Sequence, residues 1–247
     1  MTFRKGTDLL ENYQEFLDRI NSYRTPELFD TQKCFIPAEG VLEKVNQDGT
    51  FRQFYGDTVV FKINPSEQEY ASRIAEGLYN NFSDLFAERI GAETYHVTLH
   101  DLVSGNDLSQ IAMQIFKNEL AIIDAFRAYN VSHNPIKMKS AYLLNMVNTS
   151  IVLVLTPASE ADYEALMQLK RILQIISPLS YPLTPHITLA YFGRSEIDKD
   201  KVAALSRLAA ELYTESLHFS LHIDDLFYQK FVNMNHYYDI FRIFGNN

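Results

Sequence analysis

The chain has 247 residues, 47% hydrophobic and 21% charged, a balance that suits a globular protein with a sizeable core. Its net charge of −9 argues against coating long nucleic acid, because that affinity rests on Lys and Arg neutralising phosphates. A lone cysteine, Cys34, excludes an internal disulfide and a cysteine-based zinc cluster. With no signal-like N-terminus and no apolar run longer than stretches such as "IVLVL", it points to a cytoplasmic protein without a membrane partner.

Residues 1–30 read as a helical preface. Leu9, Leu10, Tyr13, Phe16, Leu17 and Ile20 recur at helical spacing, and Pro26 limits the extension. In "VLEKVNQDGTFRQF", Asp48-Gly49 between extended runs is a hairpin signal. "GDTVVFKI" is a strand. Asn64, Pro65 and Glu67 then supply an N-cap, a proline at the first helical position and a capping-box glutamate, ahead of a face made by Tyr70, Ile74, Leu78 and Phe82. A strand at 94–103 follows, then a helix from about Asp107 to Phe126 with Leu108, Ile111, Ile115 and Phe116 facing inward, then a strand near 136–146. The order then repeats. "SIVLVLT" at 150–156 is a strand, Ser159 and Asp162 open a helix carrying Tyr163, Leu166, Leu173 and Ile176, and a strand spans 186–192. A helix near 198–213 and the strand "SLHFSLHI" come next, and two strands near 225–231 and 236–244 finish the chain. Val60 to His96 is 36 residues and Val152 to His186 is 34, so the spacing itself repeats. The expectation is a single α+β domain over 1–247, duplicated and bilobal, with lobe 1 at 31–147 and lobe 2 at 148–247.

Two segments at matching places in this repeat carry the same pattern: His96-Val97-Thr98-Leu99 and His186-Ile187-Thr188-Leu189. On a helix, His96 and His100 would share a face and could chelate a metal, but the glutamate of an HExxH motif is missing. The Thr, Val, Leu and Tyr content favours a strand, where residues four apart lie about 13 Å from one another, too far for one ion. The same holds for His218 and His222, so no metal is expected. His218-Phe219-Ser220 also resembles the pattern, but the matching strand of the first half has no histidine, and it reads as structural. On a strand, i and i+2 share a face, so each motif projects an imidazole beside a hydroxyl while its apolar residues point into a core. His100 shares the parity of His96; it either extends the site as an accessory residue or, the preferred reading, sits at the strand end in solvent. Tyr55, Tyr95, Tyr181 and Tyr191 are candidates to stack a base, although the parity of Tyr95 and Tyr191 favours the core for those two.

Two imidazoles across a cleft suit in-line displacement at phosphorus. One deprotonates the attacking water or hydroxyl and the other protonates the departing oxygen. The hydroxyls of Thr98 and Thr188 would bind the non-bridging phosphate oxygens. Such a route needs no cofactor and favours a strained substrate, such as a 2′,3′-cyclic phosphate.

Paired His-x-Thr-x motifs about ninety residues apart, on strands of a duplicated α+β chain, resemble the two-histidine (2H) phosphoesterase superfamily, which includes RNA 2′,3′-cyclic phosphodiesterases and 2′-5′ RNA ligase-like proteins. "DGTFRQFYGDTVVFKI" ahead of "YHVTLHDLV" also resembles an uncharacterised bacterial branch of it. The resemblance is firmest over 57–223. It implies two antiparallel sheets facing a central cleft, His96 and His186 as the catalytic pair, and Thr98 and Thr188 as phosphate ligands. The substrate it implies is a nucleotide or short RNA with a cyclic phosphate. A 2′-5′ phosphodiesterase or ligase, and a non-catalytic module that binds nucleotides or RNA ends, are the alternatives.

Overall fold

The computed structural model describes residues 11–24, 28–127, 129 and 134–244. Local signals set most of the boundaries. Helix α1 (Tyr13–Ser22) starts at Asn12, whose side chain accepts from the Glu15 N–H while the Glu15 carboxylate accepts from the Asn12 N–H. This is the preface, shorter than expected; Leu9, Leu10 and Pro26 of that reading lie outside the described residues. Residues 41–44, read as extended, instead end helix α2 (Glu39–Lys44). Only Val41 of that helix is buried, so no strand-like alternation exists to bury. The Asp48-Gly49 hairpin reduces to one bridge, Val45 with Phe51, closed by a turn in which Gly49 takes φ 86°. After strand β1 (Tyr55–Lys62), helix α3 (Pro65–Phe82) opens on the Asn64–Glu67 capping box as the spacing predicts.

The remaining strands are β2 (His96–Gly105), β3 (Ile136–Met146), β4 (Ser150–Pro157), β5 (His186–Tyr191), β6 (His218–Leu221), β7 (Leu226–Asn233) and β8 (His236–Arg242). They form two four-stranded antiparallel sheets, ordered β2-β1-β7-β8 and β5-β4-β3-β6. The sheets face one another across a central cleft with helices on the outside, the α+β duplicated architecture expected. Each sheet places its His/Thr strand on the edge beside a central strand, β1 or β4, that is buried along nearly its whole length.

The sheets do not follow the division at 147/148. Strand β3, placed with the first lobe, belongs to the second sheet, and β7 and β8, placed with the second lobe, complete the first. The cause is the turn at 147–149, where Val147 at φ 43° and Asn148 at φ 60° fold β3 straight back onto β4 with Met146 opposite Ser150. A β-branched residue in the left-handed region is strained by about 1–2 kcal/mol. Val147 is 53% exposed, so Val147→Asn should raise stability by about 1 kcal/mol in urea unfolding. An unchanged midpoint would show that the turn carries no such strain.

Helix α4 (Leu108–Arg127) is the second departure. Leu108 and Phe116, expected inside, are 45% and 56% exposed, and the buried stripe is Ile115, Asn118, Ile122 and Phe126. Asn118 takes an interior position because its amide donates to the Asp57 carboxylate of β1 at 3.0 Å. That buried carboxylate also accepts from the Val103 N–H and the Tyr228 hydroxyl, which satisfies it while burial raises its pKa. Helix α5 (Glu160–Ile176) starts at Ser159, whose hydroxyl accepts from the Asp162 N–H. Helix α6 (Lys199–Leu212) packs with α3 near β5, while α5 packs on β3, β4 and β2. Among the described residues no helix is long and apolar enough to cross a membrane.

Candidate active site

The edge strands β2 and β5 approach each other across the cleft. His96, Thr98, His186 and Thr188 all line one open cavity of about 700 Å³. Val97, Ile187 and Leu189 are buried on the other side, at most 1% exposed, as the strand alternation requires, and Leu99 is buried as deeply but also borders the cavity.

Both histidines are held in the same way. The Nδ1 of His96 lies 2.6 Å from the Thr94 carbonyl, and that of His186 lies 2.7 Å from the Thr184 carbonyl. A carbonyl only accepts, so each Nδ1 carries the proton and each neutral imidazole keeps the lone pair of its Nε2 free. A threonine two residues before each histidine, in "TYH" and "TPH", was the available signal. The second anchor is braced further by α1, where Arg19 donates to the Leu183 carbonyl at 2.8 Å and to the Thr184 hydroxyl at 3.2 Å. Burial lowers the His96 pKa to about 4, helped by neighbouring His186 and opposed by the Thr94 carbonyl and Asp101. His186 is also lowered, burial being the main cause. His186 bears on His96, and Asp101 bears on both, which places the rings in one electrostatic site.

Beyond the threonines the parity argument fails, for the same reason on both strands. Opposite β1, Thr98 pairs with Val60 but His100 pairs with Val59, so one residue, Leu99, is extra. Opposite β4, Thr188 pairs with Val152 and Ala190 with Ile151, so Leu189 is extra. A bulge of this kind flips every side chain after it. His100 is therefore not at an exposed strand end in solvent; it is turned away from the parity of His96 but still lines the same cavity. It is 1% exposed, with Nε2 2.7 Å from the Ser177 carbonyl and Nδ1 2.8 Å from Lys170 Nζ. Burial lowers its pKa to about 4. The residues turned to the cleft are Asp101 and Tyr191, each five after its histidine.

Tyr191 thus lines the cavity, contrary to the core role its parity suggested, and Lys44 Nζ sits 5.6 Å from its ring centre. Tyr95 is in the core, 5% exposed, and also borders the cavity. Tyr181 borders the cavity and its hydroxyl donates to Asp101 at 2.9 Å, whereas Tyr55 is not among the lining residues. His218 and His222 are exposed and outside the cavity. Residues that sequence reasoning missed are Asp101, Lys44, Lys170 and Tyr237, whose ring meets His96 edge-on at 5.0 Å. Lys170 had a signal: it interrupts the apolar stripe Tyr163, Leu166, Leu173 at helical spacing. Among the described residues, no three His, Cys, Asp or Glu side chains converge as a metal site.

Comparison with solved structures gives the fold a counterpart in the conserved protein of unknown function ATU0111 from Agrobacterium tumefaciens, at a TM-score of 0.61 and 16% identity, covering 84% of this chain and 94% of that one. The chain shares its fold with ATU0111. Similar structures also include E. coli LigT with 3′-AMP (TM-score 0.47, 13% identity, 77% of this chain and 97% of LigT). Another is TT0787 of Thermus thermophilus (TM-score 0.47, 11% identity, 75% and 95%). LigT is a member of the two-histidine phosphoesterase superfamily. No family model matches the chain, and no curated protein matches it.

Proposed function

We propose that the chain is a metal-independent phosphodiesterase of the two-histidine type, acting in the cytoplasm on the 2′,3′-cyclic phosphate of a nucleotide or short RNA. The observation that carries this reading is the pair of imidazoles with Nδ1 anchored alike and Nε2 free toward one cavity. One Nε2 takes a proton from water, the resulting oxygen bonds to phosphorus, and the ring P–O bond breaks. The departing ribose oxygen receives its proton from the other imidazole. Thr98 and Thr188 donate to the non-bridging oxygens. Both histidines are neutral in the empty cleft, so the acid must gain a proton when substrate enters; the negative charge of the phosphate favours that imidazolium. The whole chain acts as one unit, because each sheet supplies one histidine and one threonine. A binding module would not need two free proton acceptors. A 2′-5′ phosphodiester remains the second reading, because the same groups would serve it. E. coli LigT has been crystallised with 3′-AMP, ATP, NADP+ and phosphate; the nucleotide reading of this cleft rests on its own residues.

The test is incubation with 2′,3′-cyclic nucleotides and short cyclic-phosphate RNAs in EDTA. Release of a single monophosphate isomer is expected, and no turnover on any of them overturns the substrate assignment. The pH profile provides a second check. Asp101 raises the proton affinity of both histidines. In Asp101→Asn that support is lost, so both limbs of the kcat/KM profile should move to lower pH and activity at pH 7 should fall several-fold. A profile that stays in place would remove Asp101 from the electrostatics of the pair.

A further inference from the structure

Lys170 is 6% exposed, lines the cavity, and has one hydrogen-bond partner among the described residues, Nδ1 of His100 at 2.8 Å. His100 cannot neutralise it. Its Nε2–H is committed to the Ser177 carbonyl at 2.7 Å, which leaves Nδ1 as a neutral acceptor. Burial lowers the lysine pKa to about 8 and Asp101 raises it, so Lys170 is still a cation at neutral pH. No carboxylate among the described residues forms an ion pair with it. The two carboxylates bordering the cavity are otherwise engaged: Asp57 with Asn118, Val103 and Tyr228, and Asp101 with Tyr181. An enclosed ammonium with two unused N–H donors and no carboxylate in contact is costly unless an anion arrives to meet it. The ammonium is also positioned, because the helix holds one end of the side chain and the His100–Ser177 chain holds the other.

We propose that Lys170, braced by His100, receives a second anionic group of the substrate, a phosphate separate from the one at the paired histidines. The proposal rests on the phosphodiesterase reading of this cleft. On a nucleotide or short RNA the anionic groups are phosphates, so the preferred substrate carries a second one, such as a 5′-phosphate. A cavity of about 700 Å³ has room for a nucleotide with both. His100 is then a positioning residue for the lysine.

Calorimetric titration in EDTA tests this with adenosine 2′-monophosphate against adenosine 2′,5′-bisphosphate. The wild type should bind the bisphosphate at least tenfold more tightly. In Lys170→Gln, which keeps a donor for His100, and in Lys170→Met, the ratio should fall to near one. A wild-type ratio near one, binding of neither ligand, or a ratio that persists in a folded variant would overturn the proposal. The wild-type ratio decides even where a variant does not fold. A retained ratio with no turnover of cyclic substrates would overturn the phosphodiesterase reading alone and leave the anion site standing.

Discussion

Replacing either histidine by alanine should lower kcat/KM on a 2′,3′-cyclic substrate by about 10³, within the range for removal of a positioned general acid or base. His96→Ala and His186→Ala should act alike, because the two rings are equivalent in register, anchor and access to the cavity. The double variant should be little worse than either single one. Acid and base serve one concerted displacement, and the loss of either already removes the benefit of the other. Both variants should unfold at the wild-type temperature within a few degrees, because both rings border an open cleft and are not core packing. Steady-state rates in EDTA, with circular-dichroism melts as the fold control, are sufficient. Less than about a tenfold loss in either folded variant would exclude that ring from proton transfer.

The largest stability effect should come from Phe192→Ala. Phe192 follows β5 directly, is fully buried, and its ring lies 4.7 Å from Phe35, 5.7 Å from Phe86 and 5.8 Å from Phe29. Truncation removes the shared ring of this cluster and leaves a void between two other segments, one carrying Phe29 and Phe35 and one carrying Phe86, that cannot collapse to fill it. The expected cost is about 3–5 kcal/mol, read as a shift in the urea midpoint. Phe116→Ala on the exposed side of α4 is the control and should change stability by about 0.5 kcal/mol or less. A loss below about 1 kcal/mol for Phe192→Ala would mean that the cluster relaxes freely.

Features decided within a few residues were legible. The Asn64-Pro65-Glu67 start of α3, the Ser159 cap of α5 and the projection of His96 with Thr98, and of His186 with Thr188, depend on neighbours in sequence. Features decided by pairing were not. The bulges at Leu99 and Leu189 arise from registry against β1 and β4, and nothing about a leucine marks it as the extra residue. The unread residue on each strand put His100 at a strand end in solvent and sent Tyr191 to the core. The phase of α4 failed because the most apolar stripe was assumed to face inward, whereas Asn118 is drawn inside by a buried carboxylate 61 residues away in sequence. Lys44 reaches the cavity from a helix read as extended, and Lys170 sits within an apolar stripe from which only the hydrophobic members were read.

The exchange of strands between the sheets has a consequence for synthesis. The second sheet draws its four strands from 136–221 without interruption, but half of the first is encoded at 226–242. While the chain is being made, β1 and β2 are a two-stranded ribbon with a bare apolar face, which is marginal on its own in water. The ribbon must wait for β7 and β8, and Tyr237, the ring against His96, arrives on the last of these strands. The half of the cleft encoded first is thus completed last. A chain that ends short of residue 226 has all four strands of the second sheet but leaves β1 with an unpaired edge where β7 belongs, an edge open to pairing with other chains.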